Sequence, residues 1–303
     1  MFDCHCDTLL KLTPNTNLSS NSFDVDFERL AIYGKSTQMF AVFNKGNLKV
    51  EDILSLIRLL RDESEKSPLA KFCVSHDDII KNEAPVSALA SLEGVGNTPD
   101  FLCDHIYRFY EVGVRVMSIT WNNDNYLCGG IENNNKGLTD LGREAVNIMK
   151  KLGMVLDVSH ISDKGFDEVS SIDGLRIMAT HSNSRLVCAN NRNLTDEQFT
   201  KICKLGGVVG LNTYPIFVNG TERASVTDMI RHIDHFCSLG GETNVGLGAD
   251  FDGMDIKMKG IGSCEKMNVL INELAKMNYT DKVIRGICCE NLMNFYKKMN
   301  FSN

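Results

Sequence analysis

Three histidines and three acids close short apolar runs along this chain. His5 and Asp7 end Phe2-Asp3-Cys4-His5-Cys6-Asp7, and Glu93 ends Ser91-Leu92-Glu93. His160 ends Val155-Leu156-Asp157-Val158-Ser159-His160, His181 ends Ile177-Met178-Ala179-Thr180-His181, and Asp250 ends Val245-Gly246-Leu247-Gly248-Ala249-Asp250. Imidazoles and carboxylates are the nitrogen and oxygen ligands that zinc takes. His5 and Asp7 are two apart, so strand alternation turns both to one face, which makes half of such a site. A carboxylate buried at a strand end, as Glu93 would be, must be paired or metal-bound; Arg115 is the competing partner. Asp250 is placed to serve as general base beside a bound water, whereas Asp252, next to Gly253, reads as a turn residue. A ligand set spread over several strand ends points to a metal-dependent hydrolase.

Such residues need a frame that brings strand ends together. Apolar runs of strand length occur at 2–7, 37–43, 87–93, 114–121, 154–160, 176–182, 207–213 and 244–250. Their near-continuous hydrophobicity suits strands of a parallel sheet buried on both faces. Between them, Glu51 to Ser64 and Leu141 to Lys151 have the three-and-four apolar spacing of helices. Thr195-Asp196-Glu197-Gln198 and Ser225-Val226-Thr227-Asp228 read as helix-starting capping boxes. Gly153, Gly206 and Gly241 follow helical runs, where a left-handed residue is wanted. Eight strands alternating with helices predict an α/β fold, a TIM-like (β/α)8 barrel with extra C-terminal helices at about 265–278 and 281–298. One domain spanning 1–303 is the expected organisation. The polar stretch Asn122 to Lys136 reads as a long loop over the active face, with Gly129-Gly130 as hinge points.

The 303 residues carry a net charge of −7 and no basic run, which argues against nucleic acid. No apolar stretch reaches about 18 residues, so no membrane span is expected. The eleven cysteines are an odd, scattered set without Cys-x-x-Cys; with no export signal, they read as free thiols of a cytoplasmic protein. His232 and His235, three apart on a helix, lack an acidic partner at ligand spacing and read as structural, and His76 and His105 have no supporting context. Strand parity sends Cys4 and Cys6 away from the face of His5 and Asp7, which argues against thiolate ligation.

Nearly the whole chain resembles the membrane (renal) dipeptidase family of zinc metallopeptidases, among the amidohydrolase-like barrels. The likeness is carried by Asp3-Cys4-His5-Cys6-Asp7-Thr8, Phe23 to Leu30 leading to Gln38-Met39-Phe40-Ala41-Val42, and Leu92-Glu93-Gly94. It continues in Gly137-Leu138-Thr139, Asp157-Val158-Ser159-His160, Thr180-His181-Ser182, Asn191 to Gln198, Gly206 to Asn212, His232-Ile233-Asp234-His235 and Gly246 to Gly253. The resemblance implies two zinc ions per chain: His5 and Asp7 on one, His160 and His181 on the other, and Glu93 bridging both. It implies peptide-bond hydrolysis of dipeptides by a metal-bridging hydroxide, with Asp250 moving the proton and Arg192 receiving the substrate carboxylate. Dipeptides with a C-terminal D-residue fall within the implied range, and a homodimer is the implied assembly. Trp121, the only tryptophan, stands where animal members carry a histidine, and Phe217 stands where a substrate-contacting tyrosine is expected; both are read as substrate-binding positions. At this level two alternatives remain open: another amide or ester hydrolase on the same dimetal barrel, and a non-catalytic metal-binding barrel.

Overall fold

The eight apolar runs become parallel strands in the computed structural model, which describes residues 1–133, 135–299 and 301. They are β1 (Phe2–Cys6), β2 (Ser36–Phe43), β4 (Val86–Glu93), β5 (Val116–Met117), β6 (Val155–Asp157), β7 (Arg176–Met178), β8 (Val209–Leu211) and β9 (Val245–Leu247). Parallel pairing runs β7-β6-β5-β4-β2-β1-β9-β8, and a bridge from Ala179 to Val209 joins the two ends. The result is a (β/α)8 TIM-like barrel.

One strand is unforeseen. β3 (Ala70–Phe72) pairs with Val86–Ala88 at the start of β4, while β5 pairs with Ser91–Leu92 nearer its end. Three residues with an exposed lysine in the middle carry too little periodic signal to read as a strand.

The helices form where local chemistry starts and stops them. Val50–Lys66 buries Val50, Ile53, Leu54, Ile57 and Leu60 on one stripe. In Asp140–Leu152 the Thr139 side chain accepts from the Gly142 amide, and Gly153, at φ 68°, closes the C-terminus. Thr195 and Ser225 form the two expected capping boxes. After Val226–Ser238, however, the left-handed residue is Gly240, not Gly241. Gly241 meets a different need, since a Cβ there would lie 2.2 Å from the Phe199 ring.

The C-terminal helices differ in detail from the two expected spans. Asn268–Lys276 follows a 3-10 turn, and Asp281–Arg285 and Asn291–Met299 are joined by a π-turn at Gly286–Glu290. Asn291 then donates to the Glu242 and Val245 carbonyls, at 2.8 Å each, fixing the last helix beneath β9. Leu292, Phe295 and Tyr296 pack against Phe2, Cys4, Met39, Leu89, Val116, Val155, Met178 and Val208. This plug closes the N-terminal end of the barrel and leaves the C-terminal end for chemistry. No helix among the described residues is long and apolar enough to cross a membrane.

Candidate metal centre

All five expected ligands converge at the C-terminal end of the barrel. His5 Nε2 lies 3.5 Å from Asp7 Oδ2, 3.2 Å from Glu93 Oε2 and 3.8 Å from Asp250 Oδ1. His160 Nε2 lies 3.0 Å from Glu93 Oε1 and 3.0 Å from His181 Nε2. Glu93 therefore turns one oxygen toward His5 and the other toward His160. Arg115, its alternative partner from sequence, instead donates to the Tyr110 and Val114 carbonyls and stacks on the Tyr110 ring.

Local backbone geometry aims these groups. The β1 register shifts between Asp3 and Cys6, and this overturns the simple parity argument. Cys4 faces the barrel interior, donating to the Thr180 and Leu247 carbonyls, while Cys6 joins the other, outer core cluster. With alternation interrupted there, Cys4 and His5 both reach Thr180, Cys4 at its carbonyl and His5 at its hydroxyl. His160 and Asp250 both take φ 66°, a left-handed conformation uncommon outside glycine that concentrates at functional sites. Gly253 has to be glycine: a Cβ there would come within 2.3 Å of Asp7 Oδ2 and 2.5 Å of Asp250 Oδ1.

The donor set suits a cation. The ligand atoms of His5, Glu93 and His181 lie within 4.8 Å of one another, as do those of His5, Asp7 and Asp250. His5 Nε2 and Asp7 Oδ1 are buried without a hydrogen-bond partner. His160 Nδ1 faces Asn122 Oδ1 at 2.7 Å, and His181 Nδ1 faces Thr180 Oγ1 at 2.7 Å. The amide oxygen of Asn122 can only accept, so the His160 proton belongs on Nδ1 and Nε2 presents a lone pair to the centre. Nitrogen and carboxylate donors in this mixture fit zinc.

Electrostatics favours the ligand forms of His160, His181 and Glu93. Burial lowers His160 to about 4, with the Arg192 charge adding to it. Burial also brings His181 well below the usual imidazole range, together with His5 and Arg192. Both are therefore neutral imidazoles near neutrality, as metal binding requires. Burial opposes the carboxylate of Glu93, but His160 and His5 outweigh it and hold Glu93 below its ordinary range. In His5, burial is overcome by Asp7 and Glu93, which keep it well above the usual imidazole value. Burial pushes Asp250 up to about 7, against the pull of His5 and with repulsion from Asp7 and Glu93.

Above these groups a cavity of about 400 Å³ opens, walled in part by two aromatic pairs, Phe43 with Trp121 and Tyr214 with Phe217. Trp121 and Phe217 thus line the space a substrate would enter. Arg192 is buried behind the Phe217 side of this wall and is not among the residues lining the cavity: Nη1 donates to Ser182 Oγ at 2.8 Å, while Nε and Nη2 have no partner. Its Cζ lies 5.7 Å from the centre of the Phe217 ring. Asp252 does more than turn the chain, because it accepts from Thr8 Oγ1 at 2.6 Å and from the Asp24 amide. His232 accepts from the Ser184 amide and faces the Val218 carbonyl, and His235 pairs with Asp196, so both are structural. Gly129 and Gly130 are close-packing points rather than hinges, since a Cβ at either would strike backbone carbonyls at 2.2–2.3 Å.

Sequence reasoning missed Asn122, Asp157, Thr180 and Asn212, which hold the ligands and Asp250 in place; Asn212 Nδ2 donates to Asp250 Oδ2 at 2.9 Å. The polar residues just before His181 and just after Trp121 were the available signal.

Known proteins resemble this chain along its length. Residues 1–302 match the model of the membrane dipeptidase family, peptidase family M19. A Klebsiella pneumoniae protein described only by its position in the pqqA 5' region is 31% identical over 76% of this chain and 89% of its own length. An uncharacterized dipeptidase of Schizosaccharomyces pombe is 30% identical over 75% of this chain, but the match spans only 57% of that protein. Among solved structures, dipeptidase AC, an M19 metallopeptidase, superposes with a TM-score of 0.89 at 25% identity, covering 99% of this chain and 98% of its own. A Rhodobacter sphaeroides metallopeptidase, liganded with a phosphinate mimic of L-Ala-D-Ala, superposes at 0.87 with 24% identity over 98% of both chains.

Proposed function

Because this chain belongs to the membrane dipeptidase family of metallopeptidases, M19, we propose that it hydrolyses the peptide bond of free dipeptides with two zinc ions at the barrel mouth. The observation that carries this reading is the split engagement of Glu93, with one oxygen toward His5 and the other toward His160. His5 and Asp7 would hold one ion, His160 and His181 the other, and Glu93 would touch both. Bound zinc supplies a Lewis acid for the scissile carbonyl and lowers the pKa of a water.

The remaining work falls to the chain's own groups. Asp250 sits beside His5 and is oriented by Asn212. It accepts the proton of the attacking water and returns it to the leaving amine, a task suited to a group that titrates near neutrality. Arg192 offers two unpartnered donors on one planar fork, which matches a carboxylate. Anchoring a terminal carboxylate there would restrict substrates to short peptides. The proposal extends to dipeptides with a C-terminal D-residue, the class mimicked by the ligand of the R. sphaeroides structure. Trp121 donates through one N–H and cannot be protonated, so it serves as an aromatic wall rather than as an acid.

A panel of L,L- and L,D-dipeptides, their amides, N-acyl amino acids and lactones, assayed with added zinc, tests the proposal. Turnover confined to free dipeptides is expected. Hydrolysis of N-acyl amino acids or lactones without dipeptide turnover would replace it with another amide or ester hydrolase.

A further inference from the structure

His5 leaves β1 and His181 follows β7, yet their rings stack with centroids 3.7 Å apart. Both Nδ1 atoms face a single hydroxyl, Thr180 Oγ1, at 2.7 Å from His181 and 3.4 Å from His5. That hydroxyl donates to Asp157 Oδ2 at 2.6 Å. Asp157 is itself held through Oδ1, which accepts from the Ser159 and Thr180 amides at 2.9 Å each. A hydroxyl has one hydrogen and two lone pairs. With the hydrogen committed to Asp157, Oγ1 can only accept. Each imidazole facing it must then carry a proton on Nδ1, and Nε2 is the nitrogen left to face the centre.

Thr180 is also locked in place. Its carbonyl accepts from Cys4 Sγ at 3.1 Å. A Cβ at Gly248 would lie 1.8 Å from that carbonyl oxygen, and one at Gly210 would lie 2.1 Å away. Two glycines on neighbouring strands thus make the seat for this one peptide unit. Asn122 differs, since among the described residues its side-chain oxygen faces one imidazole, that of His160.

We propose that Thr180, held by Asp157, is a positioning residue that sets the tautomer and orientation of His5 and His181 together and so couples the affinities of the two metal positions. This rests on the reading above that His5 and His181 serve different ions. Supporting partners of this kind typically change metal affinity 10- to 100-fold.

The test is zinc titration of metal-stripped protein against a competing chromogenic chelator, for wild type, Thr180→Val, Thr180→Ser and Asn122→Ala. Valine keeps the shape and removes the hydroxyl. Thr180→Val is expected to weaken both binding steps by about 10- to 100-fold, Thr180→Ser to restore both, and Asn122→Ala to weaken one step only. Two zinc ions held by Thr180→Val as tightly as by wild type would overturn the inference. So would a serine variant as weak as the valine variant, because packing rather than the hydroxyl would then be responsible. If wild type itself bound no zinc, the metal reading would fail first, which separates the two failures. Should the valine variant not fold, imidazole ¹⁵N spectra of metal-free wild type still decide: His181 is expected as the Nδ1–H tautomer, and Nε2–H would refute the arrangement.

Discussion

Replacing Arg192 with methionine should erase the discrimination between a free dipeptide and its C-terminal amide. Arg192 is 5% exposed, and among the described residues its guanidinium hydrogen-bonds through Nη1 to Ser182 Oγ. Nε and Nη2 are buried without partners. A carboxylate meeting these two donors gains charge-assisted hydrogen bonds worth about 1.5–3 kcal/mol, which corresponds to roughly 10- to 150-fold in affinity. The contact lies away from the reacting carbonyl and should be made equally in the ground and transition states, so the loss belongs in KM rather than kcat. Lysine at this position offers a point charge without the fork and should recover little. Methionine roughly fills the space, and the loss of the charge-assisted Ser182 bond is offset in part by removing a buried charge with two unpartnered donors, so stability should fall by no more than about 3 kcal/mol. The assay is steady-state hydrolysis of one dipeptide and its amide by wild type and Arg192→Met, with denaturant midpoints for both proteins. Wild type should prefer the free acid by the factor above, and the variant should treat both alike. If Arg192→Met kept the wild-type preference, the carboxylate would bind elsewhere. If it unfolded at much lower denaturant with its preference intact, Arg192 would be a structural residue.

Glu93→Gln should loosen both metal ions, whereas His5→Ala should loosen mainly one, because the two Glu93 oxygens face different imidazoles; elemental analysis after dialysis reads the difference, and two ions retained by the glutamine variant would remove Glu93 as the bridge. Asp250→Asn should keep its metal and fold, since asparagine tolerates the left-handed backbone at φ 66°, while kcat falls by about 10²–10⁴ with loss of the base; wild-type kcat would move the proton transfer to another group. Gly248→Ala should cost about 1–3 kcal/mol of stability through overpacking and loosen metal at the same time, because the new methyl meets the Thr180 carbonyl; an unchanged denaturant midpoint would mean that the barrel yields there.

Much of this protein was legible before any coordinates, and for local reasons. Buried parallel strands need apolar runs, and helix ends need caps, so the barrel and the Thr195 and Ser225 boxes could be read from neighbours a few residues apart. The ligand types were legible because each closes a run, and the C-terminal ends of barrel strands meet on one face. What lay beyond reach was geometry set by distant partners. β3 exists only because β4 offers it an edge. The register shift that accompanies the inward turn of Cys4 depends on the β1–β2 pairing, which Asp3 and Cys6 alone do not reveal. Thr180 looks like any strand threonine until Asp157, 23 residues before it, takes its hydrogen, and His5, 175 residues before it, comes to face the same oxygen. Residue type specifies which groups can donate or accept, but only closure of the barrel decides which of them share a hydrogen bond, because those distances are set by strands far apart in the chain.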